Sequence, residues 1–320
     1  MNLNKKKLKK IKGDASFRSF FRKINKKKSI IVYANKNKKK NLLIYDSINK
    51  LLIKNNILAP KLYSENYKNK YIEIQDFGDK TLYKILNNKK KNKIIFFKKI
   101  VLLLEKIQKI KQKKIKNFKK KYYKIPTYTN KILFDEVSLF FKWYTPSVLP
   151  KNIFLSVNKN LKKKIFSLLS KIKSPNNTFV HRDFHVSNLI KFKNKIAVID
   201  SQDALYGNRA YDLASLVDDV RFKTSTKFKD RIYKYYFSLN KDKLNKNFFR
   251  NDFEILSVLR NLKIIGIFTR LSARDKKKKY LKLIPYAWKL IELRINNNSL
   301  FKDLKNHLDA NFSNTIRIKK

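Results

Sequence analysis

Three polar residues in one short stretch have the types and spacing that phosphoryl transfer requires. Asp183 ends a His-Arg-Asp triplet, Asn188 follows five residues later, and Asp200 ends an apolar run at residues 196–199. One carboxylate can accept the proton of a substrate hydroxyl, while a carboxamide and a second carboxylate can hold Mg²⁺ against nucleotide phosphates. Magnesium keeps several water ligands, so two protein oxygens suffice. The spacing therefore predicts Asp183 as the catalytic base and Asn188 and Asp200 as metal ligands.

The charge of this stretch differs from that of the rest of the chain. Residues 181–221 contain six acidic and six basic residues, whereas the whole 320-residue protein has a formal net charge of +56. Two of the three histidines, His181 and His185, also lie here. Local neutrality within so basic a chain indicates that acids and imidazoles are needed at these positions.

Two other interpretations of the same residues are weaker. Acids at strand ends are common turn formers, but a chance turn does not explain two acids and an asparagine in this order. His181 and His185 could suggest zinc, yet in a strand-to-loop segment an offset of four residues does not place both side chains on one face. The chain also has no cysteine, which excludes thiolate ligands and disulfides.

A β-hairpin must position these groups. Residues 189–190 predict one strand, Lys193-Asn194-Lys195 a polar turn, and residues 196–199 a second strand that places Asp200 at its end. The catalytic loop and the second acid would then belong to one local unit.

The residues after Asp200 distinguish between groups of kinases. Protein kinases continue with Phe-Gly, whereas this chain has Ser-Gln-Asp at 201–203, then Gly207, then Tyr-Asp-Leu-Ala at 211–214. The chain therefore resembles the aminoglycoside-phosphotransferase-like kinases of the protein-kinase-like superfamily. It is most similar to the anomeric sugar kinases that phosphorylate N-acetylmuramate and N-acetylglucosamine. The matching segments, which together span nearly the whole length, are residues 13–18, 180–221 and 259–271.

The resemblance implies an α+β, two-lobed protein-kinase-like fold. A small mixed sheet lobe at residues 1–77 would bind the nucleotide, and a larger, mainly helical lobe at residues 78–320 would carry the catalytic and substrate residues. ATP and Mg²⁺ would lie between the lobes. The implied reaction is transfer of the γ-phosphoryl group to a sugar hydroxyl. The anomeric hydroxyl is the expected acceptor. The alternative is a kinase of the same superfamily with choline, an aminoglycoside or another alcohol as acceptor.

Nucleotide contacts are expected from two places in the N-terminal lobe. Gly13 and Ser16 predict a turn whose backbone amides can cradle phosphates, with Arg18 adding positive charge; an ordinary hairpin turn is the other interpretation. Gln75 and Phe77 lie where the strand predicted at 71–74 ends. We interpret this segment as the hinge that meets the adenine edge.

The strand lysine of protein kinases has no clear counterpart. Lys28 and Lys36 flank the strand predicted at residues 29–33, and the sequence does not distinguish between them. Arg22 is a further candidate for charge near the phosphates.

Four residues are assigned to supporting the catalytic loop. His181 and Arg182 precede Asp183, and His185 could hydrogen-bond near Asp183 or orient the sugar. Asp212 is predicted to cap a helix, and the resemblance suggests that it also braces the loop.

Substrate binding is assigned to three further residues. Glu136 lies in a predicted helix with aromatic neighbours that suit a sugar ring, and Asp203 and Arg209 follow the second metal ligand. A purely structural role remains open for each of the three.

Two segments complete the predicted organisation. Residues 81–121 predict a lysine-rich helix, and the last twenty residues predict a short polar helix followed by a frayed basic tail.

Composition bounds the partners. A net charge of +56 would ordinarily indicate nucleic acid, but the lysines are dispersed and accompany excess Asn, Ile, Tyr and Phe, which share A/T-rich codons. We therefore attribute the high positive charge to a biased genome composition, and we favour this explanation over a non-catalytic protein that binds polyanions. We expect no specific nucleic-acid partner. The sequence has neither a run of the roughly 18 apolar residues that a membrane span needs nor an apolar signal-peptide core, so we expect a cytoplasmic protein. Oligomeric state is not predicted.

Overall fold

A computed structural model describes residues 8–11, 18–24, 28–88 and 92–318, apart from the side chain of Lys36. The chain divides into two compact units. Unit 1 comprises Met1–Pro126 and Thr178–Tyr206, and unit 2 comprises Thr127–Asn177 and Gly207–Lys320. The division after residue 77, which concerns nucleotide binding rather than compactness, stays a prediction.

Unit 1 contains a five-stranded antiparallel sheet with the strand order β1-β2-β3-β5-β4. Its strands are β1 (Leu8–Ile11), β2 (Arg18–Lys23), β3 (Ser29–Ala34), β4 (Leu62–Asn66) and β5 (Tyr71–Gln75). The helix α1 (Lys40–Lys54) buries Leu42 and Tyr45 against Val32 of β3 and Ile72 and Ile74 of β5. This apolar layer forms because β3 and β5 are rich in β-branched residues, which pack well on a pleated surface.

The long helix predicted at residues 81–121 is wrong. The segment forms α2 (Leu82–Leu86), α3 (Lys93–Gln108) and an antiparallel pair of short strands, β6 (Lys114–Lys116) and β7 (Tyr122–Lys124). Helix α3 starts anew because the Asn92 side chain accepts from Ile94 N at 3.2 Å, as an N-cap does. The Asn117 side chain accepts from Lys119 N at 2.9 Å and stabilises the turn between β6 and β7.

The predicted hairpin after Asp183 is present in unit 1. Strands β9 (Leu189–Phe192) and β10 (Lys195–Val198) pair antiparallel, with β8 (Thr178–Val180) before them and β11 (Leu205–Gly207) after them. Bridges join Ala197 to Leu58 and Ile190 to Thr81. These bridges attach the hairpin to Leu58, which precedes β4, and to Thr81, which follows β5.

Unit 2 is helical, as expected for the larger part of the chain. Its α-helices are α4 (Asn130–Leu139), α5 (Thr145–Val148), α6 (Phe154–Ser170), α7 (Ala210–Val217), α8 (Thr226–Ser238), α9 (Lys246–Ala273), α10 (Ile284–Ile295), α11 (Lys302–Asn311) and α12 (Asn314–Ile318). A π-helical turn, Phe140–Tyr144, continues α4. Short 3₁₀ turns occupy Lys36–Lys38, Val186–Asn188, Lys241–Lys243, Lys278–Leu283 and Ser299–Phe301.

Helix α9 is the centre of unit 2 and packs against α4, α7 and α10. Gly266 permits a close approach of α9 to the end of α4, because a Cβ atom there would lie 2.3 Å from the backbone carbon of Leu139. A side chain at residue 266 would therefore force the two helices apart.

The frayed C-terminal tail that we predicted is wrong for the described residues up to 318. Leu304, Leu308 and Phe312 are buried, and Arg317 pairs with Glu292 at 2.9 Å and with Asp309 at 2.8 Å. The segment packs because its apolar residues recur every four positions on one helical face.

Among the described residues, no helix is both long and apolar enough to cross a membrane.

Candidate functional site

The loop between β8 and β9 holds Asp183. His185 N donates to Asp183 O at 3.1 Å, Asn188 N donates to His185 O at 2.9 Å, and Asn188 Nδ2 donates to Asp183 O at 3.0 Å. Arg182 has a φ of 75°, in the left-handed region that non-glycine residues seldom adopt. A compact, locally strained turn thus holds the proposed base and the proposed amide ligand together.

Asp200 lies at the end of β10 and is tied to the same loop. Ile199 N donates to Asn188 O at 3.1 Å, and Asp200 has a φ of 63°. Arg18 Nη2 forms an ion pair with Asp200 Oδ1 at 3.0 Å, and the Arg18 side chain is only 3% exposed. The structure therefore brings Asp183, Asn188, Asp200 and Arg18 into one region of unit 1.

Negative charge accumulates in this region. Burial raises the pKa of Asp200, Arg18 opposes the increase, and the charges of Asp183 and Asp203 add to it. Such a carboxylate cluster disfavours its own ionisation unless a cation compensates it.

The side chains present fit a magnesium ion better than a metal held by the protein alone. No group of three or more His, Cys, Asp or Glu side chains that could hold a metal occurs in the described part of the chain. Asn188 uses its amide nitrogen to contact Asp183 O, so its oxygen is the end that suits a cation. One carboxylate and one carboxamide match a hard cation that takes its other ligands from phosphates and water.

Two of the residues predicted to support the loop, His181 and Arg182, contact the segment at residues 199–203 that follows the hairpin. The buried His181 ring nitrogen Nε2 lies 3.1 Å from Ile199 O, and His185 is also buried. Arg182 Nη1 donates to Asp203 O at 3.4 Å, and Gln202 Nε2 donates to Asp203 Oδ2 at 2.7 Å. In the described contacts, the Asp203 carboxylate is thus held by a neighbouring side chain of its own loop.

The structure describes two of the residues predicted to bind the nucleotide, Gln75 and Phe77, but not Gly13 and Ser16. Gly13 and Ser16 lie outside the described residues, so the phosphate turn stays a prediction. Gln75 ends β5, and its backbone nitrogen donates to Lys61 O at 2.8 Å. Phe77 is 5% exposed, and its ring lies 4.9 Å from that of Phe192 in the hairpin. The hinge assignment therefore concerns a segment that packs against the hairpin.

Among the basic candidates, Arg18 is the one with an ion pair to Asp200. Arg22 is held by Asp76 and by Asp79, the latter at 2.6 Å. Lys28 is exposed, and the side chain of Lys36 is not described. Sequence reasoning left this cation open because Arg18 and Asp200 are 182 residues apart.

Glu136 belongs to a polar cluster within unit 2. Its Oε1 accepts from Tyr128 Oη at 2.9 Å, and its Oε2 accepts from Tyr211 Oη at 2.8 Å and pairs with Lys263 Nζ at 3.0 Å. Sequence reasoning missed Tyr128, Tyr211 and Lys263 as its partners. The available signal was that Tyr211 and Lys263 both lie in segments that carried the resemblance.

The other two candidates in unit 2 lie near the start of α7. Arg209 Nη1 donates to Asn240 Oδ1 at 3.0 Å. Asp212 is fully buried in the first turn of α7, but Arg209 occupies the N-cap position, so the prediction that Asp212 is the cap is wrong. Helix α7 begins three residues earlier than that prediction required.

Comparison with known proteins shows similarity to phosphotransferases. Residues 123–245 match the model of the phosphotransferase enzyme family. An ADP-bound aminoglycoside phosphotransferase, APH(2″)-Ib, superposes with a TM-score of 0.57 at 15% identity, covering 90% of this chain and 92% of that one. A choline kinase from Streptococcus pneumoniae gives a TM-score of 0.58 at 14% identity, covering 93% of both chains. The fold is protein-kinase-like, as predicted.

Curated relatives are more similar to this chain in sequence than these solved structures are. A protein of Neisseria meningitidis named N-acetylmuramate/N-acetylglucosamine kinase is 33% identical over 167 residues, and this alignment spans 50% of each protein. A Pseudomonas putida protein of the same name is 26% identical over 280 residues, covering 85% of this chain and 79% of the relative. The predicted resemblance to amino-sugar kinases is confirmed.

Proposed function

We propose that this protein is an ATP-dependent sugar kinase. It transfers the γ-phosphoryl group to a hydroxyl, the anomeric one, of N-acetylmuramate or N-acetylglucosamine. The observation that carries the proposal is the single turn that joins Asp183 to Asn188 and, through Ile199, to Asp200. The names of the curated relatives support the choice of an amino sugar.

Each residue of this turn has a separate task. Asp183 accepts the proton of the attacking hydroxyl and orients its oxygen toward the phosphorus. Asn188 and Asp200 hold Mg²⁺, which neutralises charge on the phosphates when it is bound. Arg18 keeps the Asp200 carboxylate in place through their ion pair and adds positive charge beside the phosphates.

The remaining candidates are assigned by position. His181, Arg182 and His185 keep the loop in its strained conformation, with Asp212 buried at the start of α7 as a further support. Gln75 and Phe77 are proposed for the adenine edge, Gly13 and Ser16 for the phosphates, and Glu136, Asp203 and Arg209 for the substrate. Because ATP is the donor, we propose cytoplasmic location, and a phosphorylated cell-wall sugar as the product suits a recycling pathway.

The decisive experiment is ATP consumption with a panel of acceptors. The panel contains both amino sugars, glucose, choline and an aminoglycoside, and NMR of the product locates the new phosphate. Turnover of the amino sugars alone supports the proposal, whereas preferential turnover of choline or the aminoglycoside contradicts the acceptor and leaves the kinase assignment.

Asp183→Asn tests the base. We expect kcat to fall by about 10²- to 10⁴-fold, because a positioned general base contributes that much to proton transfer. The KM for ATP should change little, since Asp183 acts on the acceptor hydroxyl. A folded variant with unchanged kcat would exclude Asp183 as the base.

A further inference from the structure

Helix α9 carries a buried cation that the proposed chemistry has not yet used. Arg260 is 5% exposed, and its Nη1 atom is buried with no hydrogen-bond partner among the described residues. A buried guanidinium is costly unless an anion or a set of acceptors compensates it. The physical question is which acceptor Arg260 serves.

Two contacts between α7 and α9 locate Arg260. Lys263 Nζ lies 3.3 Å from Tyr211 Oη, and Ser257 Oγ donates to Asp218 Oδ2 at 2.6 Å. Because Ser257 and Lys263 are six residues apart, they are separated by about 9 Å along α9. Arg260 lies midway between them, three residues from each, and therefore near the same helical face.

Helix α7 presents a second polar group at the same level. Ser215 lies four residues after Tyr211 and three before Asp218, so it shares the face that makes both contacts. It is fully buried, and its Oγ has no hydrogen-bond partner within the described part of the chain. A guanidinium nitrogen and a hydroxyl, both able to donate, thus occupy matching positions on the two helices.

Two of the three neighbouring acids, Asp218 and Glu136, are already paired with cations. Asp218 is bound by Arg294 at 2.9 Å, and Glu136 is bound by Lys263 at 3.0 Å. Asp219 is buried, and its Oδ1 accepts from Arg221 N at 2.9 Å, whereas its Oδ2 has no hydrogen-bond partner among the described residues and no described ion pair joins it to Arg260. Lys263, whose side chain is 14% exposed, lies at the more accessible end of this arrangement. An acidic group arriving with a ligand would therefore meet Arg260 beside a lysine that is already neutralised.

We propose that Arg260, with Ser215, binds a carboxylate on the acceptor sugar and so favours N-acetylmuramate over N-acetylglucosamine. This inference rests on the proposed function. The two sugars differ by the lactyl ether of N-acetylmuramate, which carries the carboxylate. A charge-assisted hydrogen bond to a planar guanidinium discriminates between them because the neutral sugar leaves Arg260 unpaired.

The test compares kcat/KM for both sugars in the wild type, Arg260→Gln and Arg260→Lys. We expect Arg260→Gln to lower the value for N-acetylmuramate by about tenfold to a hundredfold and that for N-acetylglucosamine by less than threefold. Arg260→Lys should recover part of the preference, because it keeps the charge. Arg270→Gln is the matched control, since Arg270 lies on the same helix about 15 Å away and should leave the ratio unchanged.

A ligand-side measurement removes the dependence on folding of the variants. The carboxamide of N-acetylmuramate should be a poorer substrate of the wild type by the same factor, and Arg260→Gln should abolish that difference. Equal losses on both sugars, or a wild type indifferent to the carboxamide, would overturn the inference and indicate that Arg260 is satisfied by water or by Asp219. The proposed function would survive that result. A wild type inactive on both sugars would instead refute the proposed function, and this inference with it.

Discussion

Two aspartates, Asp200 in unit 1 and Asp218 in unit 2, have pKa values that shift in opposite directions. Burial raises the pKa of Asp200, Arg18 opposes this increase only in part, and the nearby acids Asp183 and Asp203 add to it. Burial also acts to raise the pKa of Asp218, but Arg294 and other cations overcome it and lower the pKa. The cations around Asp218 thus outweigh the effect of burial on its pKa, whereas the ion pair of Asp200 with Arg18 does not.

The contacts of Asp218 explain its compensation. Arg294 forms a two-point contact with its carboxylate at 2.9 and 3.0 Å, Lys229 lies 3.4 Å away, and Ser257 donates at 2.6 Å. Such a buried network is satisfied within the protein and fixes α7, α8, α9 and α10 in register. The raised pKa of Asp200 instead fits the proposed role of this carboxylate as a ligand of a cation that arrives with the nucleotide. This difference fits the proposal that Asp200 acts in the chemistry, whereas Asp218 stabilises the fold.

Asp200→Asn should give the larger effect on activity. Removing the charged metal ligand is expected to lower kcat/KM by about a thousandfold, or ~4 kcal/mol, while the midpoint of thermal unfolding changes less than in Asp218→Asn. Steady-state kinetics over a range of Mg²⁺ concentrations test the expected loss of activity. A thermal melting curve tests the expected change in stability. Asp230→Asn on the exposed face of α8 is the matched control, because Asp230 pairs only with the exposed Lys234 among the described contacts. Full activity of Asp200→Asn would remove the contrast between the two aspartates.

Asp218→Asn should show the reverse pattern. Leaving Arg294 and Lys229 buried without their counter-charge is expected to lower the free energy of unfolding by about 3–5 kcal/mol. Urea denaturation measures this, with Asp230→Asn expected to change stability by less than about 1 kcal/mol. The folded fraction of Asp218→Asn should keep most of its kcat. A stable variant that has lost its activity would assign Asp218 to the chemistry instead.

Lowering the pH should reveal a smaller effect, a difference between the wild type and Asp218→Asn in how the free energy of unfolding depends on pH. Because the folded-state pKa of Asp218 is lowered, its ionised form stabilises the protein above the unfolded-state pKa of roughly 3.9. This stabilisation is lost as the pH falls through the folded-state value, with a slope of up to about 1.4 kcal/mol per pH unit. Urea titrations between about pH 5 and 3 should therefore give a shallower slope for Asp218→Asn than for the wild type. Identical slopes would show that the charge of Asp218 does not stabilise the fold.

The turn that holds the proposed catalytic residues could be predicted because its determinants are local. Asp183, Asn188 and the hairpin that leads to Asp200 lie within 18 residues, and short apolar runs on either side of a polar turn define the strands. Predictions failed where helical periodicity was extended past its apolar face, as in residues 81–121. They also failed at the C-terminus, where sparse apolar residues pack only because other helices cover them.

By itself, the sequence determined the order of the proposed catalytic groups, the hairpin between them and the resemblance to kinases, since these depend on neighbours along the chain. Tertiary structure decided which cation faces Asp200, which donors surround Glu136 and how Asp218 is neutralised. Those partners come from distant segments, as with Arg18 and Asp200 or Asp218 and Arg294. In a chain with 79 lysines and arginines, composition offers too many possible cations, and only packing brings one of them to a given carboxylate.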